Sequence, residues 1–248
     1  MTQLEQAHTP TVGPDRPGCD TGDLELAHRA LQREFALLPE LVATAAPFDV
    51  ARARVVAEHA LALIEMLDRH RAATALEVWP AIDRCAPVEL AVEALHAELD
   101  RRQEFLGRAS GELTTLLLEW RSAATLEFRT VLLTVLGPVS RAVDELFRDE
   151  REHLLPLVQQ HLDQRAWDAF GRARLRSVPR SRRFLLLGHL LAETDPAERR
   201  RVLVHASLIG RAAFRLRGAR RYRRVLDSVC GPLLDDPDWF DALFPAAS

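Results

Sequence analysis

An all-α fold follows from three features of the sequence. Apolar residues recur at helical rather than alternating spacing, Val and Ile do not cluster into strand-length runs, and the long amphipathic stretches are joined by short connections. Four such stretches in succession predict an antiparallel four-helix bundle, and a change to shorter helices after residue 163 predicts a C-terminal helical extension.

The first helix follows "CDTGD", with Asp23 as the expected N-cap, and runs to about Thr44 with the stripe Leu24, His28, Leu31, Phe35 and Leu38. A loop at Pro47 and Asp49 starts the second, which carries Val56, Leu63, Leu67, His70 and Thr74 and is disturbed near Pro80. The third begins after "CAP" at 85–87 and carries Val88, Val92, Leu95, His96 and Leu99; Gly107 and Gly111 weaken its continuation toward residue 124. The fourth runs from about Thr125 to His161 through Val139, Val143, Leu146, Glu150, His153 and Leu157, with kinks expected at Gly137, Pro138 and Pro156. Shorter helices are expected over about 165–175, 181–193, 196–217 and 219–230. These boundaries divide the chain into a flexible N-terminus (1–21), the bundle (22–163), an Arg-rich helical extension (164–231) and an acidic tail (232–248).

The net charge of −3 hides an uneven distribution. Residues 1–171 hold 17 Arg against 28 acids, whereas residues 172–224 hold 16 Arg against 3 acids. Basic helices of this kind can hold nucleic acid or anionic lipid, but the favoured reading is that the arginines face water or dock against the acidic bundle; Tyr222 alone interleaves aromatic surface among the last of them, so a nucleic-acid partner is not expected. Cys19, Cys85 and Cys230 lack metal-finger or redox spacing, which fits a reducing cytoplasm. Residues 1–21 contain no apolar signal region, and "FLLLGHLLA" at 184–192 is too short to span a bilayer. Phosphate-binding Gly loops, nucleophile elbows and CxxC pairs are absent from the sequence.

The informative residues are polar ones that interrupt apolar stripes. His28, His70, His96 and Glu150 each fall on the inward face of a different helix. A buried carboxylate without a partner costs several kcal/mol, on the order of the desolvation of an unpaired charge, and three histidines from three other helices would supply partners.

These residues carry a resemblance. "LELAHRALQREF", "RHRAATALEVWP", "VEALHAELDRR" and "LFRDEREHLLPLVQQHLDQRAWDAF" are similar to the four helix motifs of the hemerythrin-like, or HHE cation-binding, family, over about residues 20–165. The family's helices contribute in turn a His, a His-x-x-x-Glu, a His and a second His-x-x-x-Glu around two irons. The resemblance implies His28, His70, His96 and Glu150 as metal ligands, whereas Thr74 stands where the second helix should carry a carboxylate, and Leu146 where the fourth should carry a histidine. It further implies that His28, His70 and Glu150 share one iron, a two-histidine, one-carboxylate set that suits non-haem iron with open positions. A mononuclear site is therefore expected ahead of a di-iron one. Asp100 and His153 are substitute ligands on neighbouring turns, and His96 a fourth ligand.

Two functions follow. One is an incomplete non-haem iron site that binds or senses O2-related ligands or performs oxidative chemistry. The other is a metal-free bundle cavity for a small molecule, in a cyclase or isomerase type of reaction or simple binding. In that case Glu150 would be a general acid or base whose pKa burial raises.

Overall fold

The structure, a computed structural model, describes residues 18–85, 90–179, 183–192, 194, 198 and 219–234. Among these residues every regular element is helical: α1 (Gly22–Ala43), α2 (Val50–Ala73), α3 (Trp79–Cys85), α4 (Leu90–Ala123), α5 (Leu126–Asp149), α6 (Leu155–His161), α7 (Gln164–Ser177), α8 (Arg183–Ala192) and α9 (Ala219–Leu234). No helix among them is long and apolar enough to cross a membrane.

The four long helices close a ring. Helix α1 packs against α5 and α2, and α4 packs against α2 and α5. Each turns an apolar stripe inward: Leu31, Phe35 and Leu38 from α1; Val56, Leu63 and Leu67 from α2; Leu99, Leu106, Leu113 and Trp120 from α4; Leu132, Leu136, Val139 and Val143 from α5. Alternating steps of three and four residues keep such a stripe on one face. At one end the α1–α2 and α4–α5 loops are tied together. The Phe48 amide donates to the Ala124 carbonyl at 2.7 Å and Arg129 Nη1 to the Ala45 carbonyl at 2.6 Å.

Two expected boundaries change. Asp23 is not the N-cap of α1; Thr21 precedes the helix without a side-chain cap, and Asp23 instead accepts a 3.0 Å hydrogen bond from Trp167 Nε1 of α7. Gly107 and Gly111 do not interrupt α4. At Gly107 the Arg71 guanidinium of α2 lies where a Cβ would stand, so the glycine permits a close crossing. Asp49 caps α2 as expected, accepting from the Arg52 amide at 3.0 Å.

The C-terminal helices cover the ring. Helix α8 packs on α1 and on α9, while α9 also reaches α2 and α1. This is why α1 is buried over a wide face, including Glu34 beside the inward Phe35. The helix expected over 196–217 lies largely outside the described residues, as do residues 1–17 and 235–248 of the two termini. Residues 18–21 pack against the fold, with Cys19 and Thr21 buried.

Candidate metal centre

Both helices that carry the inward motif residues widen at the same step. After α2 the chain makes a π-helical turn over Thr74–Val78, in which the Trp79 amide donates to the Thr74 carbonyl; after α5 it makes another over Glu150–Leu154, in which the Leu155 amide donates to the Glu150 carbonyl. Each turn is followed two residues on by a proline, Pro80 or Pro156. Proline offers no N–H and crowds the carbonyl four residues earlier, so a widened turn just before it relieves the clash. The two turns thus begin at Thr74 and Glu150, the positions one turn after His70 and Leu146.

Glu150 is completely buried, and two imidazoles meet one of its oxygens. His70 Nε2 donates to Oε2 at 2.8 Å, and His28 Nε2 lies 3.0 Å from the same oxygen, off the line of a hydrogen bond. Phe147 walls the cluster, stacked on the His28 ring at 4.4 Å and edge-on to His70 at 5.1 Å. Both nitrogens of His28 and Oε1 of Glu150 have no hydrogen-bond partner among the described residues. Orphaned buried polar atoms of this kind are costly, about 1–3 kcal/mol each, and rare in folded proteins.

Burial alone would raise the Glu150 carboxyl, yet the adjoining His70 and His28 outweigh it and lower its pKa to about 2. Burial pushes His28 down to about 4 against the pull of Glu150. The cluster therefore holds an ionised carboxylate beside a neutral His28 imidazole, the protonation states a metal ion requires. The same result overturns the expectation of a raised Glu150 pKa for acid–base work: near neutral pH Glu150 has no proton to give.

The other expected ligands do not join this group. His96 stacks on Trp79 at 4.0 Å and lies 3.6 Å from Asp100, whose side chain is half exposed. The indole takes the inward space that an imidazole on α4 would need. His153 is exposed. Thr74 is buried, but its hydroxyl donates to the His70 carbonyl at 3.2 Å, within its own helix, and Leu146 is buried as an apolar core residue. His28, His70 and Glu150 are the part of the set that the fold brings together.

A second cluster was not foreseen. Glu34 of α1, His59 of α2 and His189 of α8 are all buried. His59 Nε2 donates to Glu34 Oε2 at 3.0 Å, His189 Nδ1 to Oε1 at 2.9 Å, and Arg33 Nη2 to Oε1 at 2.6 Å. Burial would raise the Glu34 carboxyl, but the two imidazoles hold it well below the usual carboxylate range. The signal lay at the edge of the stripes, where Glu34 adjoins Phe35 and His59 adjoins Ala60, and in the one polar side chain of "FLLLGHLLA". Both buried His/Glu groups could hold a metal ion.

The first group fits one on two counts. Two imidazoles and a carboxylate are a donor set for first-row transition metals, and two ligand atoms about 2.1 Å from one ion at right angles stand about 3.0 Å apart. The His28 and His70 nitrogens lie 3.0 and 2.8 Å from Glu150 Oε2. No family model, no curated protein and no solved structure matches the chain.

Proposed function

We propose that the chain is a hemerythrin-like protein with a reduced, mononuclear iron site. In this reading α1, α2, α4 and α5 form the family's antiparallel four-helix bundle, and His28, His70 and Glu150 hold one iron. The observation that carries the reading is the convergence of these three buried side chains with three donor atoms left unpartnered. The paired π turns at Thr74 and Glu150 add support, since such turns recur at functional sites in helices.

The chain's residues divide the work simply. Glu150 supplies the compensating negative charge, and its fully buried position makes that charge strong. His28 offers a neutral imidazole and His70 a second ring nitrogen, and Phe147 holds the two rings, stacked on His28 and edge-on to His70. Thr74 and Leu146 withhold the carboxylate and imidazole that a second iron would need, and His96 is turned to Trp79. Iron bound by three protein ligands would keep positions open for O2 or a related small ligand, for binding, sensing or oxidative chemistry. Without a metal, an ionised Glu150 could accept a proton as a base but would have none to donate as an acid.

Elemental analysis of protein from iron-supplemented cells tests this. Iron should fall by about one ion per chain in a His70→Ala variant that retains its helical circular dichroism. An unchanged iron content, or none in the unmodified protein, would reject the reading.

A further inference from the structure

The cluster at Glu34 lies outside the motif positions of the first site and joins three helices, one of them from the C-terminal extension. A fourth residue reaches it. The Tyr222 hydroxyl of α9 lies 3.4 Å from His189 Nδ1, and its ring meets the His189 ring edge-on at 5.2 Å. Gly188 makes this approach possible: a Cβ there would stand 2.3 to 2.8 Å from three atoms of the Tyr222 ring. The pair Gly188–His189 thus admits the phenol and presents the imidazole from consecutive positions of α8.

We propose that Glu34, His59, His189 and Tyr222 form a second metal site, a closed four-ligand site for a divalent cation of the zinc type that fastens the C-terminal helices to the long-helix ring. Four protein ligands with no open position are the mark of a structural rather than a reactive metal site. Glu34 Oε2 and His59 Nε2 are 3.0 Å apart, and Oε1 and His189 Nδ1 2.9 Å. Tetrahedral ligands about 2.1 Å from one ion stand about 3.4 Å apart; one ligand atom from each of Glu34, His59 and His189 lies within 4.8 Å of the others, so an ion would draw the group together and replace these hydrogen bonds.

Arg33 then acts from outside the ligand set, orienting the Glu34 carboxylate through its hydrogen bond to Oε1. The guanidinium also sets a charge requirement. A divalent cation, Glu34 and Arg33 together carry two net positive charges when Tyr222 is neutral; as a phenolate, Tyr222 reduces this to one. Binding therefore releases the phenolic proton to solvent, and each imidazole gives up the ring proton that it directs at Glu34 and takes one at its other ring nitrogen, away from the ion. Burial and Glu34 otherwise hold the phenol protonated. A small apolar cavity bordered by Leu63, Met66, Leu185 and Leu186 also touches His59 and His189.

The test uses the full chain with Glu150→Gln, which removes the anionic ligand of the first site. Zinc chloride is titrated into the metal-free protein, with calorimetry for stoichiometry and ultraviolet difference spectroscopy for phenolate. The chain has a single tyrosine, so any phenolate signal reports Tyr222. The expected result is one zinc and one phenolate per chain. Adding Tyr222→Phe, which keeps the ring over Gly188, should abolish the phenolate signal and weaken zinc at least about tenfold. Failure of the Glu150→Gln protein to bind zinc, zinc binding without phenolate, or an affinity unchanged by Tyr222→Phe would each overturn the proposal. Failure of the first-site reading looks different: the unmodified protein would then bind no more metal than Glu150→Gln.

Discussion

The two buried clusters use the same residue types and differ in what surrounds them. Around Glu150 two histidines crowd one carboxylate oxygen, and the other oxygen and His28 have no hydrogen-bond partner among the described residues. Around Glu34 each oxygen accepts from an imidazole, a guanidinium adds a further bond, and a phenol stands within reach. Position in the fold accounts for the difference. The first cluster sits where apolar stripes meet, and its second carboxylate oxygen and both nitrogens of His28 have no hydrogen-bond partner among the described residues. The second sits where α8 and α9 close over α1 and α2, and the Arg-rich extension brings further polar groups. Composition alone therefore does not decide whether a His/Glu group is open or closed; the helices packed around it do.

Removal of each carboxylate from metal-free protein should separate the two most widely. Glu34→Gln removes the negative charge beside Arg33 and one of the two oxygens that accept from the imidazoles, and should cost about 3–5 kcal/mol in urea unfolding. Glu150→Gln keeps a carbonyl acceptor for His70 and strands no guanidinium, and should cost less, about 1–3 kcal/mol. Equal costs would mean that the clusters are the same kind of network. Next in size, Gly188→Ala pushes a methyl into the Tyr222 ring and should cost about 1–3 kcal/mol while leaving iron content at the first site unchanged.

Acid sharpens the comparison in a smaller way. His28 has a folded pKa near 4 against 6.5, so the unfolded chain binds more protons between those values and stability falls with pH there. Glu150, at about 2 against 4.5, contributes stability above 4.5 that is lost as pH falls toward 2, and Glu34 acts in the same direction. The melting temperature of metal-free protein should therefore begin to drop below about pH 6.5. In His28→Gln the decline between 6.5 and 4 should flatten, and a curve unaltered by that change would show that His28 is not buried neutral.

How much of this was legible in the sequence follows from which face each residue occupies. His28, His70 and Glu150 interrupt strong apolar stripes, and the stripes point to the common centre. The same rule misplaced His96. Its stripe is sound from Leu99 onward, but the π turn before Pro80 delivers Trp79 into the space ahead of it, and no periodicity within α4 reveals a residue supplied by another helix. Asp23 had the composition of a cap and was taken by Trp167 instead, a tertiary partner 144 positions away. Glu34 and His59 lie at the stripe edges, which read as solvent boundaries until α8 and α9 cover them. That cover depends on long-range packing of short helices, for which local pattern carries little information.

The claim that the first cluster is the open one is tested most directly with a small ligand. Metal-free protein is loaded anaerobically with iron(II), exposed to nitric oxide and examined by electron paramagnetic resonance. A high-spin iron nitrosyl signal of about one per chain, absent from Glu150→Gln and retained in Tyr222→Phe, is the result the account predicts. A signal that survives Glu150→Gln, or none from the unmodified protein, would contradict it.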